Sequence, residues 1–414
     1  MVKLNDCWGM LMTKVNERNY ALFAVTTVLV GLNLRPIMAS VGPVLDLIQA
    51  DTGVGDTSAG LLTTFPVLAM GVFAFFGGVL QRKFGVEKTV LWSLIALCTA
   101  TLSRFYFHGE MALIATAVLG GTGIAVIQAV LPGMIKRDYG DKAGQLMALY
   151  TVGIMGGAML SSSLTAPVSN LSSWPLSLSL WGILAIIALL SWKKISADSA
   201  DSADSAGAGG QENAQLPLTS KRAWFLLLFF GIGTSAYTLV LAWLPPFYVQ
   251  LGWSGTASGL LLGGVTLCQV IAAVSLSSVV DRFSDRRPIL YSILGVIILG
   301  LMCLVVSPES LFIPALLLLG FGIGGLFPMS LIIIVDHLQA ASQAGSLMGF
   351  VQGGGYVVAS IMPFAAGVIN DYFNDLSMAW VVMIVAMVVQ LMMVPFLSPK
   401  YSLSTNDWSL QKAS

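Results

Sequence analysis

Charge is what this sequence has least of. Of 414 residues, 20 are Lys or Arg, 20 are Asp or Glu and 2 are His, so charged residues make up 10%. Soluble domains carry about 25%. A soluble globular fold is therefore excluded, and a net charge of zero gives no basic surface for nucleic acid. Cysteine is also scarce. Cys7, Cys98, Cys268 and Cys303 form no CxxC pair, which leaves neither a disulfide framework nor a thiolate metal site. With two histidines and no cluster of nucleophiles or acids at one depth, the chain offers nothing for an enzyme to use, and no metal or cofactor is expected. The first eighteen residues lack an apolar core followed by a small-residue cleavage site, so the first apolar run is expected to act as an uncleaved anchor.

Apolar residues are abundant, at 56% of the chain, with a mean hydropathy of +0.85. A membrane-spanning helix needs about 20 of them in a row. Such runs occur at 20–47, 57–80, 89–107, 111–135, 144–168, 175–192, 223–250, 256–280, 288–306, 310–335, 343–368 and 378–397, which predicts twelve helical spans. The runs are continuous rather than alternating, which argues against a β-barrel. The 43 glycines fit close helix packing in lipid.

Every Lys and Arg except Arg35 and Arg104 falls on one side of these spans. Lys3, Lys14 and Arg18 precede the first, and Arg82, Lys83 and Lys88 follow the second. Lys136, Arg137 and Lys142 follow the fourth, and Arg282, Arg286 and Arg287 the eighth. Lys193, Lys194, Lys221 and Arg222 lie between the sixth and seventh, and Lys400 and Lys412 in the tail. The positive-inside rule then places both termini in the cytoplasm of a multi-pass protein. The opposite loops carry Asp51, Asp56, Glu110, Glu309, Asp371 and Asp375. The small, polar, repetitive segment 196–215 reads as a flexible linker.

The two halves match. Gly60-Leu61-Leu62 aligns with Gly259-Leu260-Leu261, Lys83 with Arg282, and Gly121-Thr122-Gly123-Ile124 with Gly320-Phe321-Gly322-Ile323, all 199 positions apart. Ala143-Gly144-Gln145-Leu146-Met147 aligns with Ala344-Gly345-Ser346-Leu347-Met348 at 201. This predicts an N-terminal six-helix half (1–193), a cytoplasmic linker (194–222) and a C-terminal six-helix half (223–414). In transporters of that plan the site lies between the halves, near the midplane.

At this point the chain resembles the major facilitator superfamily. Ser277-Ser278-Val279-Val280-Asp281-Arg282-Phe283-Ser284-Asp285-Arg286-Arg287 matches the family loop after the eighth helix. The loop after the second helix, Gly78 to Lys88, departs from the pattern by carrying Arg82 where Asp is expected. The fourth-helix Arg of the family is absent, and Ala117 stands there. Blocks 31–45, 120–139, 242–252, 320–337 and 352–363 are similar to the bacterial cyanate porter subfamily. That resemblance implies an all-α fold of twelve helices and alternating-access transport of cyanate across the bacterial inner membrane, with relatives that move nitroimidazoles. It also implies a cytoplasmic gate at Arg82, Lys83, Asp281, Arg282 and Arg286. Function as a monomer is expected.

Arg35 stands near the middle of the first run, at a depth where an ionised side chain costs about 2.5–3.5 kcal/mol. Guanidinium is permanently charged and planar. The functional reading is contact with a small anion; the structural one is a bond to carbonyls freed by a kink at Pro36. Asn33 is a second candidate on another face of the helix, or a cap for the same carbonyls. Aligning Pro43 with Pro245 sets Tyr237 opposite Arg35, with Trp243 six residues on as a cavity wall or an interfacial aromatic. Gln128, Tyr150, Thr151, Gln269, Gln352 and Tyr356 are the other deep polar residues, lining a cavity or bonding helices together. Gln352 and Tyr356 share one face. Asp336-His337 reads as a solvated helix end or gate contact ahead of a metal pair. No acid lies deep in a span, so a carboxylate proton relay is not expected.

Overall fold

In a bilayer a long apolar segment must satisfy its own backbone N–H and C=O groups, and a helix does so within one segment. The computed structural model describes residues 20–200, 217–283, 285–337 and 344–398, and no strand occurs among them. Eleven stretches are long and apolar enough to cross a membrane. One of them, Glu110–Leu171, holds two helices, α6 (Glu110–Tyr139) and α7 (Ala143–Leu171), joined by a short turn at Gly140–Lys142. The count is therefore twelve spans in two six-helix repeats among the described residues.

The first span differs from the continuous run that the sequence predicts over 20–47. It is α1 (20–32), a break, α2 (Pro36–Ala39), a 3-10 turn at Gly42–Val44, and α3 (Leu45–Thr52). Pro36 and Pro43 have no N–H to continue a helix. The amides of Asn33 and Leu34 tighten onto Val30 and Gly31 carbonyls at 3.1 and 3.0 Å. The other spans of the first repeat are α4 (Asp56–Phe84), α5 (Val86–Ser103), α6, α7, and α8 (Trp174–Ser179) continuing into α9 (Trp181–Ala200). The second repeat comprises α10 (Lys221–Gln250), α11 (Gly255–Val279), α12 (Arg287–Val306), α13 (Phe312–Asp336), α14 (Ala344–Phe373) and α15 (Ser377–Met393).

Across the repeats, α4 packs along α14 and α7 along α11. The repeat relation exchanges these two pairs: the second span corresponds to the eighth and the fifth to the eleventh. Glycines permit the approach. A methyl on Gly60 would lie 2.5 Å from the Pro363 carbonyl, and one on Gly71 would lie 2.7 Å from that of Gly353. Gly255 and Gly259 of α11 press on Pro43 and Ser162 in the same way. Within the second repeat, Pro363 leaves the Ala359 carbonyl without its helical donor, and the Thr238 hydroxyl supplies one at 2.9 Å. Polar side chains thus restore what the prolines remove.

The face opposite the basic loops, here the acidic face, is closed by this packing. Gly55, ahead of α4, has no side chain to cap it. Asp371 of α14 does so from the other repeat, accepting from the amides of Asp56 and Thr57 at 3.0 and 2.8 Å and from the Thr57 hydroxyl at 2.5 Å. Asn370 and Gln49 donate to the Asp56 carboxylate at 2.6 and 2.7 Å. The glycines nearest the basic loops are different. A methyl on Gly133, Gly144, Gly345 or Gly349 would meet nothing within 4 Å.

Candidate functional site

The break in the first span places Arg35 as the residue that begins α2, with φ −118° and ψ −26°. The side chain is buried, at 7% exposure. Its Nη1 lies 4.0 Å from Met70 Sδ on α4, and its guanidinium carbon lies 5.3 Å from the ring centroid of Tyr237 on α10. Nε is buried without a hydrogen-bond partner in the protein. The ion pairs among the described residues are Arg137 with Asp138, Arg286 with Asp336 and Arg287 with Asp285, so no carboxylate neutralises Arg35 there.

Three phenols lie in the neighbourhood of this charge. The hydroxyls of Tyr150 on α7 and Tyr237 are buried and have no protein partner. Tyr150 and Tyr356 on α14 lie within electrostatic range of Arg35, and Tyr356 within that of Tyr237. Phe230 of α10 meets the Tyr356 ring edge-on at 5.7 Å. A cluster built from both repeats therefore presents one guanidinium and three phenols. A buried donor left without a partner costs about 1–3 kcal/mol. Several such groups in one place are what a small polar ligand with acceptor atoms would satisfy.

Other candidates from the sequence stand elsewhere. Asn33 donates to the carbonyls of Leu29 and Leu184 at 2.7 and 3.1 Å, which fastens α1 to α9. Trp243 is fully buried and donates its indole N–H to the Pro363 carbonyl at 2.9 Å, so that donor joins α10 to α14. Gln128 on α6 is half-buried, as is Gln352, one turn before Tyr356. Thr151 is exposed and bonds its own helix at Met147. Gln269 is buried where Gly324 of α13 comes against its backbone.

At the basic face, Lys83 and Arg282 are exposed, and Lys83 lies 5.3 Å from the Phe84 ring. The side chains of Arg82 and Asp281 lie outside the described residues. Arg286 bonds Asp336 at 3.2 Å and the carbonyls of Val280 and Phe283, all within the second repeat. His337 pairs through Nε2 with Arg222 at 2.7 Å and through Nδ1 with the Ile333 carbonyl at 2.7 Å. Burial and, secondarily, the Arg222 charge hold its pKa below the ordinary histidine value. Among the described residues no three His, Cys, Asp or Glu come together as a metal site.

Two residues near the cluster escaped sequence reasoning. Met70 sits in an unremarkable apolar run with no signal of its own. Arg104 was visible only as a basic residue out of place, and it is the most buried charged residue among those described in the first repeat, at 1% exposure.

The model of the Major Facilitator Superfamily matches residues 21–275 and 244–412. The chain belongs to the Major Facilitator Superfamily. It is 32% identical over 357 residues to the cyanate transport protein CynX of Escherichia coli K12, covering 85% of this chain and 91% of that one. It is 28% identical over 375 residues to a 2-nitroimidazole transporter of the same organism, covering 87% and 91%. Among solved structures, a D-xylose-proton symporter superposes with a TM-score of 0.72 at 14% identity, covering 94% of this chain and 98% of that one. That likeness shows the fold. This superfamily member is a multi-pass secondary transporter and not an enzyme.

Proposed function

We propose that the protein carries a small anion, cyanate, across the cytoplasmic membrane by alternating access, with Arg35 as its anion contact. The observation that carries this reading is the Arg35 guanidinium, unneutralised by any carboxylate among the described residues and lying over the Tyr237 ring, together with the buried Tyr150 and Tyr237 hydroxyls that have no protein partner. Cyanate is linear with an acceptor at each end, so one end can meet the guanidinium and the other a phenol. A lysine would serve worse, since cyanate carbamylates free amines. The name of the CynX relative supports the same substrate.

The basic face is cytoplasmic in this reading, by the positive-inside rule. The packed acidic face is then the outer one. The rocking bodies are 1–193 and 223–414, joined by the linker 194–222, and the protein works as a monomer.

The test is uptake of radiolabelled cyanate into proteoliposomes by the parent, Arg35→Ala and Arg35→Lys. Losing two charge-assisted hydrogen bonds is expected to weaken apparent affinity about 100-fold or more in Arg35→Ala. Arg35→Lys is expected to retain part of it. Undiminished uptake by folded Arg35→Ala would overturn the reading.

A second reading is export of small neutral or aromatic compounds such as nitroimidazoles. The aromatic wall of Tyr150, Tyr237, Tyr356 and Phe230 favours it, as does the 28% relative. Competition separates the two: inhibition by cyanate that disappears in Arg35→Ala supports the anion.

A further inference from the structure

Arg104 ends α5, is 1% exposed, and pairs with no carboxylate among the described residues. Removing a charge from water costs several kcal/mol even after relaxation. Its contacts say what the charge is there to hold. Nε donates to the Thr116 hydroxyl of α6 at 3.1 Å, and that hydroxyl donates onward to the Leu113 carbonyl at 2.8 Å. Nη1 donates to the carbonyl of Ile37 at 3.0 Å. Ile37 lies in the four-residue α2, two positions after Arg35.

The backbone of α2 explains why Ile37 needs an outside donor. The Arg35 carbonyl accepts from the amides of Met38 and Ala39, and the Pro36 carbonyl from the amide and hydroxyl of Ser40. In a continuing helix the Val41 amide would serve Ile37. Here it turns to Met38 at 3.3 Å. The Ile37 carbonyl is thus orphaned by the break, and a buried orphan must be paired. A neutral hydroxyl could do that alone. The guanidinium, a rigid planar fork, also ties the carbonyl to α5 and α6 at a fixed angle. The Ile37 side chain is located independently: its Cδ1 occupies the space left by Gly120 of α6, where any methyl would strike it.

We propose that Arg104 is a positioning residue for Arg35: by gripping the Ile37 carbonyl it fixes the height and rotation of α2, and so the direction in which the Arg35 guanidinium meets the anion. This rests on the reading of Arg35 as the anion contact. Arg104 does not itself touch the substrate.

The test is radiolabelled cyanate uptake in proteoliposomes by the parent, Arg104→Gln, Arg104→Lys and Arg35→Ala, with half-saturation and maximal rate measured separately. Arg104→Gln is expected to raise the half-saturation concentration about tenfold while the maximal rate stays within about threefold. Arg104→Lys, able to give Ile37 one bond, is expected to fall between Gln and the parent. It decides the matter alone if Arg104→Gln does not fold, with a rise of about threefold supporting the proposal. A lowered maximal rate with unchanged half-saturation marks a structural role and overturns the proposal. So does parental half-saturation in both Arg104 variants when Arg35→Ala is inactive, in which case the Arg35 reading survives. Parental uptake by Arg35→Ala overturns both.

Discussion

Asp371→Ala removes the one side chain that caps α4, and it does so from the far side of the interface between the repeats. Three bonds are lost: two from the amides of Asp56 and Thr57 and one from the Thr57 hydroxyl. A lost helix cap costs about 1 kcal/mol, and a bond to a charged acceptor about 1.5–3 kcal/mol. Asp371 is exposed, so water screens and partly replaces these bonds, and a total of about 2 kcal/mol is the appropriate scale. The contact spans α4 and α14 at the acidic face, and parting of the two repeats there would break it. Its loss therefore shifts the equilibrium between the two access states by its full value, about 30-fold toward opening at this face. Ser162 reports on that opening. It is fully buried, and its carbonyl lies against Gly259 of α11. With the four native cysteines replaced, Ser162→Cys should react with a membrane-impermeant maleimide from the acidic side in proportion to the open fraction. The expected rate in Asp371→Ala is about 10- to 30-fold that of the parent. Asp371→Asn keeps one acceptor and loses the charge, and should fall between them. An unchanged labelling rate in folded Asp371→Ala would refute the idea that this carboxylate holds the face shut.

Tyr150→Phe and Tyr237→Phe each delete one hydroxyl that has no protein partner. Each is expected to raise the half-saturation constant for cyanate about tenfold, the worth of one hydrogen bond to an anion, with little change in melting temperature. His337 titrates with a definite sign. Its folded pKa lies below the ordinary 6.5, so the neutral form contributes its stability above that value and loses it as pH falls through the folded pKa. Melting temperature should drop on acidification below about pH 6.5, and His337→Gln should flatten that limb of the profile. Since no carboxylate lies deep in a span, uptake should persist after the transmembrane pH gradient is collapsed by an ionophore; abolition by that treatment would contradict it.

The spans were legible because the bilayer imposes a length and an apolar content on each one, and those are properties of a single segment. The repeat was legible because both copies keep glycines and basic residues in register, as at Gly60 and Gly259 or Lys83 and Arg282. Arg35 stood out for a similar reason, as a charge in the wrong medium. What could not be read was contact between distant segments. Pro36 announced a kink, but not that Asn33 would bond Leu184 or that Arg104 would reach Ile37. Trp243 read as a cavity wall or an interfacial aromatic, while its N–H goes to a carbonyl 120 residues away. Met70 beside Arg35 carries no sequence signal, because a thioether among leucines resembles any other packing residue. Asp371 looked like one acid in a loop, and only the meeting of α4 and α14 makes it a cap.

The unopposed glycines at the basic ends of α7 and α14 carry a consequence of their own. On a solvent-facing helix, alanine would be better than glycine by about 1 kcal/mol at each position. Gly144, Gly345 and Gly349 forgo that gain although nothing crowds them. At the sealed end, Gly60, Gly255 and Gly259 show what such bare backbone is for, since there it lets one helix bed directly on its neighbour. Alanine is therefore barred where two helices touch and should be accepted at Gly144, Gly345 and Gly349, raising the melting temperature a little at each.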